Sequence, residues 1–109
     1  MPQRVRRHAD FLVDLQAQVL WLEQNRNEGW ILRLREAVDE ATRALARFPT
    51  MGAPVLGHPR GAAAEPLRKL VLRRIPFVVW YAVADDGVWL LRLFHARQKR
   101  PHPKRPRRG

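Results

Sequence analysis

Apolar side chains recur every three or four residues through the first half of the chain and every second residue through the second half. After Asp10, a residue suited to cap a helix, Phe11, Leu12, Leu15, Val19 and Leu22 fall on one stripe. Residues 25–29 read as a turn. A second helical stripe runs through Ile31, Leu34, Val38, Ala41, Leu45 and Phe48. Its opposite face carries Arg33, Arg35, Glu36, Asp39, Glu40, Arg43 and Arg47, as a solvated face does. Pro49 ends the pattern, so two antiparallel helices joined by a short turn are expected.

Residues 50–65 are rich in Gly, Pro and Ala, lack periodicity and read as a long loop, either mobile or functional. Beyond them the period changes to two. Over residues 66–74, Arg68, Leu70, Leu72 and Arg74 share one face, and Leu67, Lys69, Val71 and Arg73 the other. Ile75-Pro76 interrupts the run, because proline cannot donate to a central ladder. Residues 77–84 form a β-branched and aromatic strand, and Asp85-Asp86-Gly87 a hairpin turn in which Gly87 takes a positive φ. Residues 88–96 make the last strand, completing an antiparallel meander. Residues 3–8 alternate weakly and suit an edge strand. The expected fold is α+β, in the order strand–helix–helix–strand–strand–strand. Its helical hairpin packs on one face of a small, mainly antiparallel twisted sheet.

Composition narrows the function classes. A chain of 109 residues that is 46% hydrophobic can bury one core. It contains no cysteine, which excludes disulfide scaffolds, Cys-based zinc sites and thiol nucleophiles. The start, Met1-Pro2-Gln3-Arg4-Val5-Arg6-Arg7, is not followed by a secretory apolar region, and no apolar run reaches the roughly 18–20 residues that span a bilayer. A cytoplasmic protein is expected. His8, His58 and His102 have no metal-ligand spacing, and Gly52, Gly57 and Gly61 fit no nucleotide loop. Neither a metal nor another cofactor is expected.

The formal net charge of +11 is unevenly placed. Arg97, Lys99, Arg100, Lys104, Arg105, Arg107 and Arg108 account for 7 of the 21 basic residues, with no acid among residues 97–109. Pro101, Pro103 and Pro106 interleave them. Residues 1–96 therefore read as one domain and residues 97–109 as an extended basic arm suited to nucleic-acid phosphate.

The blocks and their order resemble the ParE/RelE superfamily of toxins from type II toxin–antitoxin systems. The carrying residues are Ala9-Asp10-Phe11-Leu12-Val13-Asp14-Leu15, the Phe48-Pro49 helix end with Met51-Gly52, and Leu67-Arg68-Lys69-Leu70-Val71-Leu72. Phe77-Val78-Val79-Trp80-Tyr81-Ala82-Val83 and the ending Leu91-Arg92-Leu93-Phe94-His95-Ala96-Arg97-Gln98 complete the set. The resemblance spans about residues 4–98. It implies a growth-inhibiting toxin neutralised by a cognate acidic antitoxin, acting on a macromolecule and not on a small-molecule substrate or a membrane.

Two branches of that superfamily imply different chemistry. RelE-like members cleave ribosome-bound mRNA, which needs a base for the ribose hydroxyl, an acid for the leaving oxygen and cations for the developing charge. Arg73, His95 and Arg97 are the candidates for those roles, His95 as the base. Ala96 stands where several ribonuclease members carry an aromatic, the lone Tyr81 falls mid-strand, and the set is incomplete. ParE-like members poison DNA gyrase by binding and need no hydrolytic site, so the ParE branch is favoured. Arg33, Arg68, Lys69, Arg73, Arg74 and Arg92 are candidate contacts for target or antitoxin, with Trp21 and Trp30 as apolar anchors beside the main helical stripes. A non-toxic nucleic-acid-binding module, led by the basic arm, is the remaining alternative.

Overall fold

A computed structural model describes residues 2–55 and 66–97. The chain runs β1 (Val5–Arg7), α1 (Ala9–Gln24), α2 (Glu28–Arg47), β2 (Ala53–Pro54), β3 (Arg68–Val71), β4 (Phe77–Ala84) and β5 (Gly87–His95). The five strands form one sheet in the order β1-β5-β4-β3-β2. β1 lies parallel to β5, with Val5 opposite Val88, and every other pairing is antiparallel. The expected α+β architecture is present, with one more strand than the sequence pattern suggests.

That strand corrects the reading of residues 50–65 as loop throughout. Ala53 and Pro54 pair with Lys69 and Arg68, and the amide of Val55 donates to the carbonyl of Leu67 at 2.7 Å. Two residues carry no periodicity, and Pro54 is tolerated because β2 is an edge strand. Residues 56–65 of the expected loop and residues 98–109 of the expected arm lie outside the described residues.

The first helix is capped two residues earlier than expected. His8 is the N-cap, its Nδ1 accepting from the amide of Asp10 at 3.0 Å, while Asp10 sits in the first turn near the positive end of the helix dipole. At the other end, Arg26 adopts φ 57°. Its amide donates to the carbonyl of Glu23, and that of Asn27 to the carbonyl of Leu22, a Schellman closure made without glycine.

α2 buries Leu34, Ala37, Val38, Ala41 and Leu45. Phe48, expected on this stripe, is instead 64% exposed, because the helix ends at Arg47 and the backbone turns away at φ −130°. α1 buries only Phe11 and Leu22 fully, and Leu12 of its expected stripe is exposed. The main core joins these helical residues to Leu72, Phe77, Val79, Tyr81, Val88, Leu90 and Leu93 on one face of the sheet. Phe11, Leu34 and Leu45 have no exposed surface, and each contributes roughly 1.5–3 kcal/mol by leaving water. A smaller cluster of Leu67, Val78, Trp80 and Phe94 occupies the opposite face, with the Trp80 and Phe94 rings edge-on at 5.3 Å.

A β-bulge keeps both clusters intact. Trp80 faces Arg92 and Tyr81 faces Leu90, so Leu91 has no opposite residue. The extra residue shifts the alternation of β5 by one. Val88 and Leu90 before the bulge and Leu93 after it therefore all reach the helix-covered core. The hairpin turn is as expected, Gly87 standing at φ 128°. A Cβ there would collide with the carbonyl oxygen of Arg4. No helix among the described residues is long and apolar enough to cross a membrane.

Candidate functional site

The turn between β3 and β4 places the clustered arginines. The amide of Leu72 donates to the carbonyl of Phe77 at 2.9 Å, and buried Ile75 pins the turn to the core. Arg73 and Arg74 are left on the outside, Arg74 in the left-handed region at φ 65°. They face α2, whose Arg33, Glu36, Glu40 and Arg43 follow one another at helical spacing. Together with Ala37 these side chains line a groove of about 670 Å³. The Arg33 guanidinium lies 5.5 Å from the centre of the Trp30 ring. Among the described residues no ion pair neutralises any of the four arginines. Sequence reasoning singled out Arg33, Arg73 and Arg74, and the structure brings them together; it adds Arg43, whose place on the solvated face of α2 concealed it.

Arg68 is engaged internally. Its Nη1 donates to the carbonyls of Gly52 at 2.8 Å and Thr50 at 3.4 Å, which ties residues 50–52 to β3. The buried Nε of Arg68 has no hydrogen-bond partner. The amide of Gly52 donates to the Tyr81 hydroxyl at 2.8 Å. Burial pushes the Tyr81 phenol above its ordinary range, opposed by the Gly52 amide and the nearby Arg68 charge. Gly52 admits no side chain, since a Cβ would stand 2.5 Å from the carbonyl oxygen of Lys69 and 2.8 Å from the Tyr81 ring. Lys69 is half-buried on β3, opposite Ala53 and Trp80.

Arg92, expected among the contacts for a target, is held by Asp14 of α1. Nε donates to Oδ2 at 2.7 Å and Nη2 to Oδ1 at 3.1 Å. The same carboxylate accepts the amide of Leu93 at 2.9 Å. The hydrogen bond to Asp14 raises the Arg92 pKa, outweighing partial burial. This fork is a joint between α1 and the sheet, and it removes Arg92 from the set of free cations. Asp14 was missed as its partner; an acid set between apolar Val13 and Leu15 is the one signal the sequence offers.

Of the three residues proposed for RNA cleavage, His95 and Arg97 are in contact, and Arg73 lines a different depression. His95 stacks edge-on against Phe77 at 5.2 Å, and its Nδ1 accepts the amide of Arg97 at 3.1 Å. It lines a depression with Ala17, Gln18 and Trp21 of α1, whereas Arg73 lines the groove on α2. Of the basic arm, only exposed Arg97 is described; Lys99, Arg100, Lys104, Arg105, Arg107 and Arg108 lie outside the described residues.

A second groove of about 490 Å³ lies between α1 and α2. Its floor is Leu12, Leu15, Val19, Leu20 and Val38, and Arg7, Arg35, Glu23 and Asp39 rim it. Beside it Val13 and Trp21 stand 65% and 55% exposed. Sequence reasoning found Trp21 but missed this face; Val13, Ala17 and Leu20, at spacings of four and three, are its trace. Trp30 stands on the other helix, beside the arginine groove.

Known proteins supply the remaining comparison. The family model described as "ParE toxin of type II toxin-antitoxin system, parDE" matches residues 5–100. No curated protein is a significant match. Among solved structures, the chain is similar to one from the "Chromosomal ParDE TA system from P. aeruginosa", with a TM-score of 0.63 and 20% sequence identity. That alignment covers 85% of this chain and 95% of the other, a likeness of fold. With the family model matched from β1 to beyond the end of β5, the chain belongs to the ParE toxin family of type II toxin–antitoxin systems.

Proposed function

We propose that this toxin inhibits DNA gyrase by binding to it and is itself silenced by a cognate antitoxin lying along α1. The observation that carries the reading is the apolar stripe of Leu12, Val13, Leu20 and Trp21, exposed beside the groove between the helices. Exposed apolar surface of this extent at helical spacing suits an amphipathic partner segment. The rim supplies Arg35 for acidic side chains at its edge, Arg7 being paired with Asp39 at 3.5 Å. Binding in place of hydrolysis is supported by the different depressions that His95 and Arg73 line, His95 beside α1 and Arg73 beside α2.

The deciding experiment adds purified toxin to a gyrase supercoiling reaction and, in parallel, to ribosomes carrying mRNA. Loss of supercoiling or trapped cleaved DNA, with intact mRNA, is the expected pair of results. Cuts at the decoding site that vanish with Arg73→Ala or His95→Ala would replace this reading with ribosome-dependent RNA cleavage.

A further inference from the structure

The groove between α2 and the β3–β4 turn differs in kind from the one on α1. Of the residues lining it only Ala37 is apolar, and no lysine is among them. A protein partner draws its affinity from apolar or aromatic anchors seated in pockets. The floor of this groove is charged, and the apolar depression that adjoins it, lined by Ala41, Ala44, Met51, Leu70, Val71 and Leu72, is small at about 60 Å³. Attraction between charges is what the groove offers: Arg33, Arg43, Arg73 and Arg74 outnumber Glu36 and Glu40.

The cations are placed for an extended anion. Arg33 and Arg43 are ten positions apart on α2, about 15 Å along its axis at the α-helical rise. Arg73 and Arg74 enter the same groove from the turn. Each guanidinium presents a planar fork that matches phosphate oxygens two at a time. Arg74 holds its place in the left-handed backbone region, which non-glycine residues rarely occupy. One helical turn before Arg33, the Trp30 ring is 38% exposed. An accessible ring beside a row of arginines is the combination that seats a strand, its phosphates on the cations and a base on the ring.

We propose that this groove binds the phosphodiester backbone of a nucleic acid. The site is separate from the apolar face of α1 and does not depend on the gyrase or antitoxin reading. Glu36 and Glu40 oppose the phosphates, so binding is weak and steeply salt-dependent.

The test measures the full-length chain against a fluorescent oligonucleotide, single-stranded and as its duplex, across a salt series. Arg33→Ala with Arg73→Ala is expected to weaken binding about tenfold. It should also flatten the logarithmic salt dependence by roughly 1.4 for a single strand or 1.8 for a duplex, the values for two lost phosphate contacts. Arg4→Ala with Arg47→Ala removes the same charge outside the groove and should leave the slope in place. Glu36→Gln with Glu40→Gln should tighten binding, a gain that unfolding cannot imitate. A preference for the single strand that disappears in Trp30→Leu identifies an unpaired strand, and equal binding of both forms identifies a duplex backbone. Equal losses from the two arginine pairs, or no gain from the glutamine pair, would overturn the proposal. So would polyglutamate displacing the oligonucleotide as readily as unlabelled oligonucleotide does. Neither gyrase nor antitoxin enters the assay, so its outcome and theirs are read apart.

Discussion

Asp14 does the work of three contacts from one side chain, receiving both arms of Arg92 and the amide of Leu93. Converting it to Ala leaves a half-buried guanidinium and a strand amide without their acceptor, at a cost of about 1–3 kcal/mol. Chemical denaturation of Asp14→Ala should show that loss as a lower midpoint with an unchanged slope. Tyr81 gives a second handle, being the chain's one tyrosine, so its ultraviolet titration is free of overlap. Its phenol is raised in the folded protein, which therefore holds the proton more tightly than the unfolded chain does. The associated stability is fully present below the unfolded value of roughly 10 and falls as pH rises through the folded one. Phenolate absorbance should accordingly appear above the range of a free tyrosine, and unfolding midpoints should drop over the same alkaline interval. An ordinary titration near that of free tyrosine would contradict the burial of the Tyr81 phenol. None of these partnerships is visible in sequence, because each joins residues 29 to 79 positions apart whose pairing the fold alone decides.

At the scale of elements, local chemistry was legible where a single periodicity governs a segment. α2 alternates spacings of three and four without exception, and its buried face is the expected one up to Leu45. α1 was harder, since apolar residues lie on most of its circumference and the stripe named from spacing included exposed Leu12. β2 was invisible, a two-residue strand whose existence depends on the neighbouring edge of β3. The bulge at Leu91 was likewise hidden, because an extra residue in a strand changes the phase of the pattern without marking itself. Of the candidate site, the two arginines of the turn and Arg33 were legible as charges. Their convergence was not, because it needs the register of α2 against the β3–β4 turn. The closure of α1 makes its own prediction. Arg26 occupies a left-handed position that glycine fills without steric cost. Arg26→Gly should therefore stabilise the fold by about 0.5–1 kcal/mol, read as a raised thermal midpoint, and a lowered midpoint would refute the Schellman assignment.

Across the whole molecule, α2 separates two surfaces of opposite character. One flank borders the apolar groove shared with α1, and the other carries the arginine groove. This division gives a prediction for the proposed partner. Val13→Asp with Leu20→Asp should abolish capture of the antitoxin in a pull-down and let the toxin arrest growth even when the antitoxin is co-expressed. Retained capture would move the antitoxin to another surface. The same pair should leave the salt dependence of oligonucleotide binding unaltered, because neither residue borders the arginines.

β1 has β5 as its strand neighbour, and Asp14 of α1 likewise waits for Arg92 and Leu93. The opening segment can pack against α2, but it lacks its strand neighbour and the Arg92 clasp until β5 has left the ribosome. Contacts between such distant parts of a chain form late and slowly. A translation product halted before Gly87 lacks both the berth for β1 and the clasp for α1, so this domain closes only once β5 has been made.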